Sequence, residues 1–246
     1  MQIHIIGTGD AYASMRANSS IMVEENGFRL LIDCGPTACQ QLWSNPLWPE
    51  LDAVYFTHLH PDHALGLTSL INRFNSSGRR RKLQIFCHKG KEQRLQQLIE
   101  YGFWSDRQNY QVEFLLIDPY PSDKSFTIGP LKCQSEETFH AVTNHSLKLQ
   151  GANSCIFYSG DGAITAEGAR LIKGSNMAFV ECQAMSLAQG AGHSDFPKVC
   201  QLAQTMPDIL FSLYHIADTE VSAMSQAALE YPNINIAIQG QLIKLL

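Results

Sequence analysis

Short apolar runs bounded by turn residues recur along the chain from its first residues. Runs at 2–6, 21–24 and 28–32 predict strands, and Glu25-Asn26-Gly27 joins the last two as a hairpin, because Asn-Gly supplies the positive φ values of a tight reversal. Asp33-Cys34-Gly35-Pro36 ends the second of these strands, and Pro36 suits the first turn of a helix reaching about residue 43. A buried strand follows at 52–57, after which Leu65, Leu67, Leu70, Ile71 and Phe74 have helical spacing. Strands at 83–87 and 112–117 flank an amphipathic helix over 91–101 through Leu95, Leu98 and Ile99.

The second half continues in the same style. Strands are predicted at 125–128, 131–133, 146–149, 155–158, 177–181 and 209–213, with helices over 166–173, 194–206 and 220–231. Two of these helices begin at Ser, Asp or Thr residues suited to capping. No internal repeat is visible. Runs of adjacent strands with helices between them predict an α+β protein of two packed mixed sheets flanked by helices, not one doubly wound parallel sheet.

With 246 residues and 45% apolar composition the chain can bury a substantial core, and no Gly/Ser, Pro-rich or single-sign tract marks a linker, so a single domain over 1–246 is expected. The opening residues lack a basic, apolar secretory leader and no segment is long enough to span a membrane, which makes the cytoplasm the expected compartment. Seven scattered cysteines without C-x-x-C pairs read as reduced, packed thiols. A net charge of −5 argues against a broad nucleic-acid-binding surface but not against an enzyme for one short phosphodiester. The run Arg79-Arg80-Arg81-Lys82 reads as a solvated helix-to-strand connection, with phosphate contact the minority reading.

The informative segment is Thr57-His58-Leu59-His60-Pro61-Asp62-His63, an H-x-H-x-D-H pattern where a strand opens into a turn. His58 and His60 can aim at one point, and Asp62 and His63 at a second. Imidazole and carboxylate suit zinc and neighbouring divalent ions, manganese and iron among them. More ligands are needed to close two coordination spheres, and His145, Asp161 and His215 stand at the ends of predicted strands. An aspartate between two cations can bridge them, which favours Asp161 as a ligand over a simple turn residue. His140 competes with the His145 of Asn144-His145-Ser146, five residues away. Asp33 is placed to accept the second N–H of a ligand histidine.

These segments, with Ile6-Gly7-Thr8-Gly9, Leu31-Ile32-Asp33-Cys34-Gly35, Ser159-Gly160-Asp161, Gly192-His193-Ser194 and Tyr214-His215, resemble the metallo-β-lactamase superfamily, in its ribonuclease Z-like and phosphonate-pathway phosphodiesterase-like branch. The resemblance covers nearly the whole chain and implies a four-layer αβ/βα sandwich. It implies His58, His60, His145 and Asp161 on one metal, and Asp62, His63, Asp161 and His215 on the other. His193, between Asp161 and His215, marks the phosphodiesterase branch and joins Asp62 as a catalytic residue; Glu181 is left between orienting His193 and ending a strand. Two departures count against transfer-RNA processing: no obvious Gly/Pro-rich arm is present, and His193-Ser194-Asp195 replaces the usual His-Ser-Thr. No cysteine cluster supports an additional structural zinc.

The resemblance thus implies a dinuclear hydrolase using a metal-bridged hydroxide on a small phosphodiester, a cyclic nucleotide or an RNA end. A thioester, lactone or lactam hydrolase with the same site is the alternative, and a non-catalytic metal-binding or sensing protein is the third reading. The substrate, the native metal and the oligomeric state, a homodimer included, are not encoded legibly.

Overall fold

The structure is a computed structural model, in which residues 1–102, 111–118 and 125–245 are described. One seven-stranded sheet holds β1 (Gln2–Gly7), β2 (Ser20–Glu25), β3 (Phe28–Ile32), β4 (Ala53–Tyr55), β5 (Leu83–His88) and β6 (Val112–Ile117), closed beyond β1 by the late strand β14 (Leu242–Lys244). The other holds β7 (Ser125–Ile128), β8 (Leu131–Glu137), β9 (His145–Gln150), β10 (Cys155–Tyr158), β11 (Met177–Glu181), β12 (Leu210–Tyr214) and β13 (Ile234–Ile236) in sequence order.

Strand periodicity builds the layers. Ile3, Ile5, Ile21, Val23, Leu30 and Ile32 face Leu147, Leu149, Ile156, Tyr158 and Phe179 in a core between the sheets. The alternate residues Met22, Leu31 and Val54 face outward onto α1 (Pro36–Leu42), α3 (Gly66–Ser76) and α4 (Glu92–Tyr101). Phe157, Ala178, Val180, Phe211 and Leu213 do the same for α6 (Phe196–Gln204) and α7 (Val221–Ala228), with Ile172 of α5 (Ala166–Ile172) in the same cluster. The result is the expected αβ/βα sandwich.

Most elements match their expected bounds, and the differences have local causes. The strand expected at 52–57 is only Ala53–Tyr55, because beyond it the chain bends into the histidine loop and Thr57 N–H donates to the Asp33 carboxylate at 2.9 Å. The strand expected at 131–133 continues to Glu137, since its polar second half pairs antiparallel with β9. Helix α6 starts at Phe196 with Asp195 as its cap, accepting from Lys198 N at 3.2 Å, and Thr165 caps α5.

In each sheet four consecutive strands run parallel, β3 to β6 and β10 to β13. The loops leaving the carboxyl ends of β3, β4, β10, β11 and β12 carry the polar residues singled out above, in keeping with the usual placement of sites in such sheets. Between β4 and α3 lies the one-turn helix α2 (Pro61–Ala64), clamped against the end of β3: Cys34 N–H donates to His63 O at 2.7 Å and Gly66 N–H to Cys34 O at 2.9 Å. Only glycine permits this approach, since a Cβ on Gly35 would lie 1.9 Å from Asp62 O.

The basic run sits at the amino end of β5, at the opposite edge of the sheet. Arg79 donates to the Pro49 and Leu51 carbonyls and lies over the Phe74 ring at 4.1 Å, Arg81 pairs with Glu50 and Asp52, and Lys82 with Glu113. It is structural glue between a helix and a strand. All seven cysteines are buried and unpaired, and no helix among the described residues is long and apolar enough to cross a membrane.

Candidate metal centre

Two groups of ligand-type side chains meet at the carboxyl edge. His58, His60, His140 and Asp161 form one; Asp62, His63, Asp161 and His215 form the other, with the potential ligand atoms of each group within 4.8 Å of one another. Asp161 belongs to both. Its Oδ2 lies 3.2 Å from His215 Nε2, 3.7 Å from His58 Nε2 and 3.9 Å from His140 Nε2, and its Oδ1 lies 3.2 Å from His63 Nε2. Asp62 Oδ2 stands 3.2 Å from His63 Nε2 and 3.4 Å from His215 Nε2.

The surroundings hold these side chains in place. Asp33 accepts from Thr57 N at 2.9 Å, from Thr57 Oγ1 at 2.8 Å and from His63 Nδ1 at 2.8 Å, which turns His63 Nε2 toward the cluster. Asn144 bridges the loops: its amide donates to Thr138 Oγ1 at 2.7 Å and Ser159 O at 3.0 Å, and its Oδ1 accepts from Asp161 N at 3.2 Å. Among the described residues outside the Asn26 hairpin, the non-glycine residues with left-handed backbone are Asp33 (φ 61°) and His215 (φ 56°), both in this centre. Such conformations are costly and persist where the surroundings enforce them.

The donor set fits divalent cations. His58 Nε2, His63 Nε2 and Asp161 Oδ1 are buried without a hydrogen-bond partner, an arrangement costing about 1–3 kcal/mol per atom unless something satisfies them. Burial, then the neighbouring His63, drives the His58 imidazole well below its ordinary pKa, keeping it neutral as a ligand must be. Burial also disfavours charge on His63, but the carboxylates of Asp161 and Asp33 outweigh it and hold that pKa well above the ordinary value. A position that attracts a proton this strongly attracts a cation for the same reason.

His145 is a correction. The structure puts His140, not His145, into the first group. On β9 residue 145 shares its face with Leu147 and Leu149, so its ring enters the space between the sheets and stacks on His88 at 3.4 Å between centroids, 8° from parallel. His140 lies in the loop before that strand, where its Nδ1 donates to Gly192 O at 2.9 Å and leaves Nε2 aimed at the cluster. Asn144 is the member of Asn144-His145-Ser146 that serves the centre. Alternation along the predicted strand could have found this, because two leucines of the same parity already assign that face to the core. Alanine at His140 is expected to empty the first position, and alanine at His145 to leave two cations bound; metal analysis of both variants checks it, and the reverse pattern would restore His145.

The His88–His145 stack has its own consequence. Burial, followed by mutual repulsion, lowers the His88 pKa to about 2, and burial with nearby Lys91 lowers that of His145 to about 3. Both depressed values mean that the unfolded chain binds more protons below about pH 6.5, so stability is fully present above that pH and falls as pH drops toward 3. Each group adds a slope approaching about 1.4 kcal/mol per pH unit. Denaturant titrations from pH 8 to pH 5 should show the loss, and His88→Phe should make the slope shallower; an unchanged slope would contradict the assignment.

His193 stands beside the centre without joining either group. Its ring is 11° from parallel to that of His215 at 5.6 Å, and Nδ1 is 3.5 Å from Oε2 of the fully buried Glu181, whose Oε1 accepts from Ser194 N at 2.6 Å. Burial alone would lower its pKa, but the Glu181 carboxylate outweighs burial and raises it. Glu181, His193 and His215 also lie close enough to form a third ligand-type group. A cavity of about 290 Å³ opens onto His60, Asp62, Asp161, His193 and His215.

Comparison with known proteins gives relatives in sequence and in fold. A segment of 136 residues is 35% identical to ribonuclease Z of Phocaeicola vulgatus, covering 52% of this chain and 43% of that protein. A segment of 68 residues is 47% identical to Anti-Pycsar protein Apyc1 of Saccharibacillus brassicae, covering 27% and 28%. The chain thus spans less than half the length of either relative. In fold it is similar to the metallo-β-lactamase fold protein YhfI of Bacillus subtilis, with a TM-score of 0.83 over 98% of both chains at 20% identity. The family model for Anti-Pycsar protein Apyc1 matches residues 1–241. From a match of that extent, together with the sandwich fold, the chain belongs to the Anti-Pycsar protein Apyc1 family within the metallo-β-lactamase fold superfamily.

Proposed function

We propose that this chain is a metal-dependent phosphodiesterase acting on a small phosphodiester, a cyclic nucleotide foremost, through two divalent cations, with zinc the first choice. The observation that carries this reading is Asp161 shared between two groups of ligand-type residues, with His193 lining the same cavity. Ribonuclease Z relatives favour phosphodiester chemistry, and the family's name adds a link to cyclic nucleotides.

In this reading His58, His60, His140 and Asp161 hold one cation, and Asp62, His63, Asp161 and His215 the other. When bound, the cations supply Lewis acidity that lowers the pKa of water and neutralises charge on a phosphoryl group. Asp33 fixes the His63 ring, and Asn144 fixes the Asp161 turn. Glu181 favours the protonated form of His193 and aims its ring, so that it can donate its proton to the departing alkoxide or stabilise charge on the phosphoryl oxygens.

The small cavity favours a mononucleotide over an extended RNA. Its lining among the described residues includes no lysine or arginine, whereas gripping a nucleic-acid backbone depends on several such contacts. A parallel assay of the metal-replete protein on a cyclic nucleotide, an RNA end, a thioester, a lactone and a lactam tests the reading. The cyclic nucleotide should be turned over fastest; preferred turnover of a thioester, lactone or lactam would overturn it.

A further inference from the structure

The cavity wall sorts into two kinds of residue. His60, Asp62, Asp161, His193 and His215 belong to the metal groups or the proton donor, leaving Ala11, Tyr12, Pro61 and Gln183 to meet whatever the substrate carries beyond its phosphate. No charged side chain is among these four. Tyr12 is 92% exposed, an unusual position for a large aromatic side chain.

Its loop is tied down at several points. Asp10 Oδ1 accepts from Tyr12 N at 3.2 Å, and Asp218 Oδ2 accepts from Ser14 N at 2.6 Å, Ser14 Oγ at 3.0 Å and Met15 N at 3.2 Å. Arg16 pairs with Asp218 Oδ1 at 2.8 Å and donates to Thr8 O at 3.2 Å and to the Ile216 carbonyl. Ile216 and Asp218 lie one and three residues after His215, so the loop is tied to the segment that carries His215. Gln183, on the same wall, is fixed by its backbone to Ser194 and Ala217, which leaves its amide, with the Tyr12 hydroxyl, as the neutral hydrogen-bonding groups of the wall.

We propose that Tyr12 is a stacking platform for the nucleobase of the substrate, with the Gln183 amide as the hydrogen-bonding group that meets its edge. The inference rests on the phosphodiesterase reading for the orientation of the ligand, phosphate toward the metals and base toward Tyr12. A flat, uncharged aromatic ring is the chemistry an exposed phenol beside a cation-poor wall recognises, and stacking tolerates any base. Gln183, which can both donate and accept, adds the means of choosing among them.

The test measures calorimetric binding of adenosine monophosphate and of ribose 5-phosphate, which lacks the base, to the metal-loaded protein. The wild type should bind the nucleotide at least about fivefold more tightly than the sugar phosphate, and Tyr12→Ala should weaken nucleotide binding by about 5- to 150-fold while leaving the sugar phosphate unchanged. Tyr12→Phe should retain the preference. Equal affinity of the wild type for both probes, or equal weakening of both by Tyr12→Ala, would overturn the platform. Turnover of a base-free cyclic sugar phosphate separates the two levels: hydrolysis of it without any Tyr12-dependent base preference sinks this inference and spares the phosphodiesterase reading. Tyr12-dependent nucleotide binding without hydrolysis of any phosphodiester sustains the platform and sinks the reading.

Discussion

Asp161→Ala should strip both cations and reduce phosphodiester turnover by more than about 10⁴-fold, the largest effect expected of any single substitution in this protein. The reason is geometric. One carboxylate serves both ligand groups, and each group without it retains side chains from only part of the rim. Removing it also leaves His58, His63 and His215 with Asp62 as the remaining carboxylate against His63 and His215, because Asp161 is the largest influence drawing the pKa values of His63 and His215 upward against burial. The turn itself should survive, since Asn144 and Thr138 grip the Asp161 backbone. Metal content and turnover measured on the same sample decide it; two cations bound with unchanged affinity would remove the bridge from the account.

His193→Ala should behave differently, retaining both cations while turnover of a diester with an alkyl leaving group falls by roughly 10²–10⁴-fold. Its ring belongs to neither four-residue group and is held from the other side by Glu181. The loss should be smaller on a bis-nitrophenyl phosphate, whose leaving group needs little protonation. Equal losses on both substrates would shift the role toward stabilising phosphoryl charge, and loss of metal would make His193 a ligand, as its proximity to His215 and Glu181 permits. An unchanged rate would reduce it to a residue at the entrance of α6.

The sandwich was legible because alternation along β1, β2 and β3 assigns Ile3, Ile5, Val23 and Ile32 to one face and Met22 and Leu31 to the other. The loop's candidate ligands were legible because four metal-type side chains stand within six residues, 58–63, at the end of a strand. What escaped depends on position between distant segments. His140 and His145 are equally plausible donors by type, and only the inward parity of β9 separates them. For Glu181 the sequence leaves two readings, a strand end or an orienting partner of His193, and the choice between them depends on how the chain after β11 brings His193 to within 3.5 Å of it. The three-residue strands β13 and β14 carry too few positions to show a period, and their partners lie far away in sequence. Tyr12 carries no signal in the sequence, because its place depends on Asp218, some two hundred residues on, which accepts from the neighbouring Ser14 and ties the loop beside His215.

The most direct test is a titration: metal-free protein is given divalent cation in steps and hydrolysis of a cyclic nucleotide is followed. Turnover should rise from background to a plateau at two equivalents per chain. A plateau at one equivalent, or full turnover with a chelator present and no cation added, would contradict the dinuclear account.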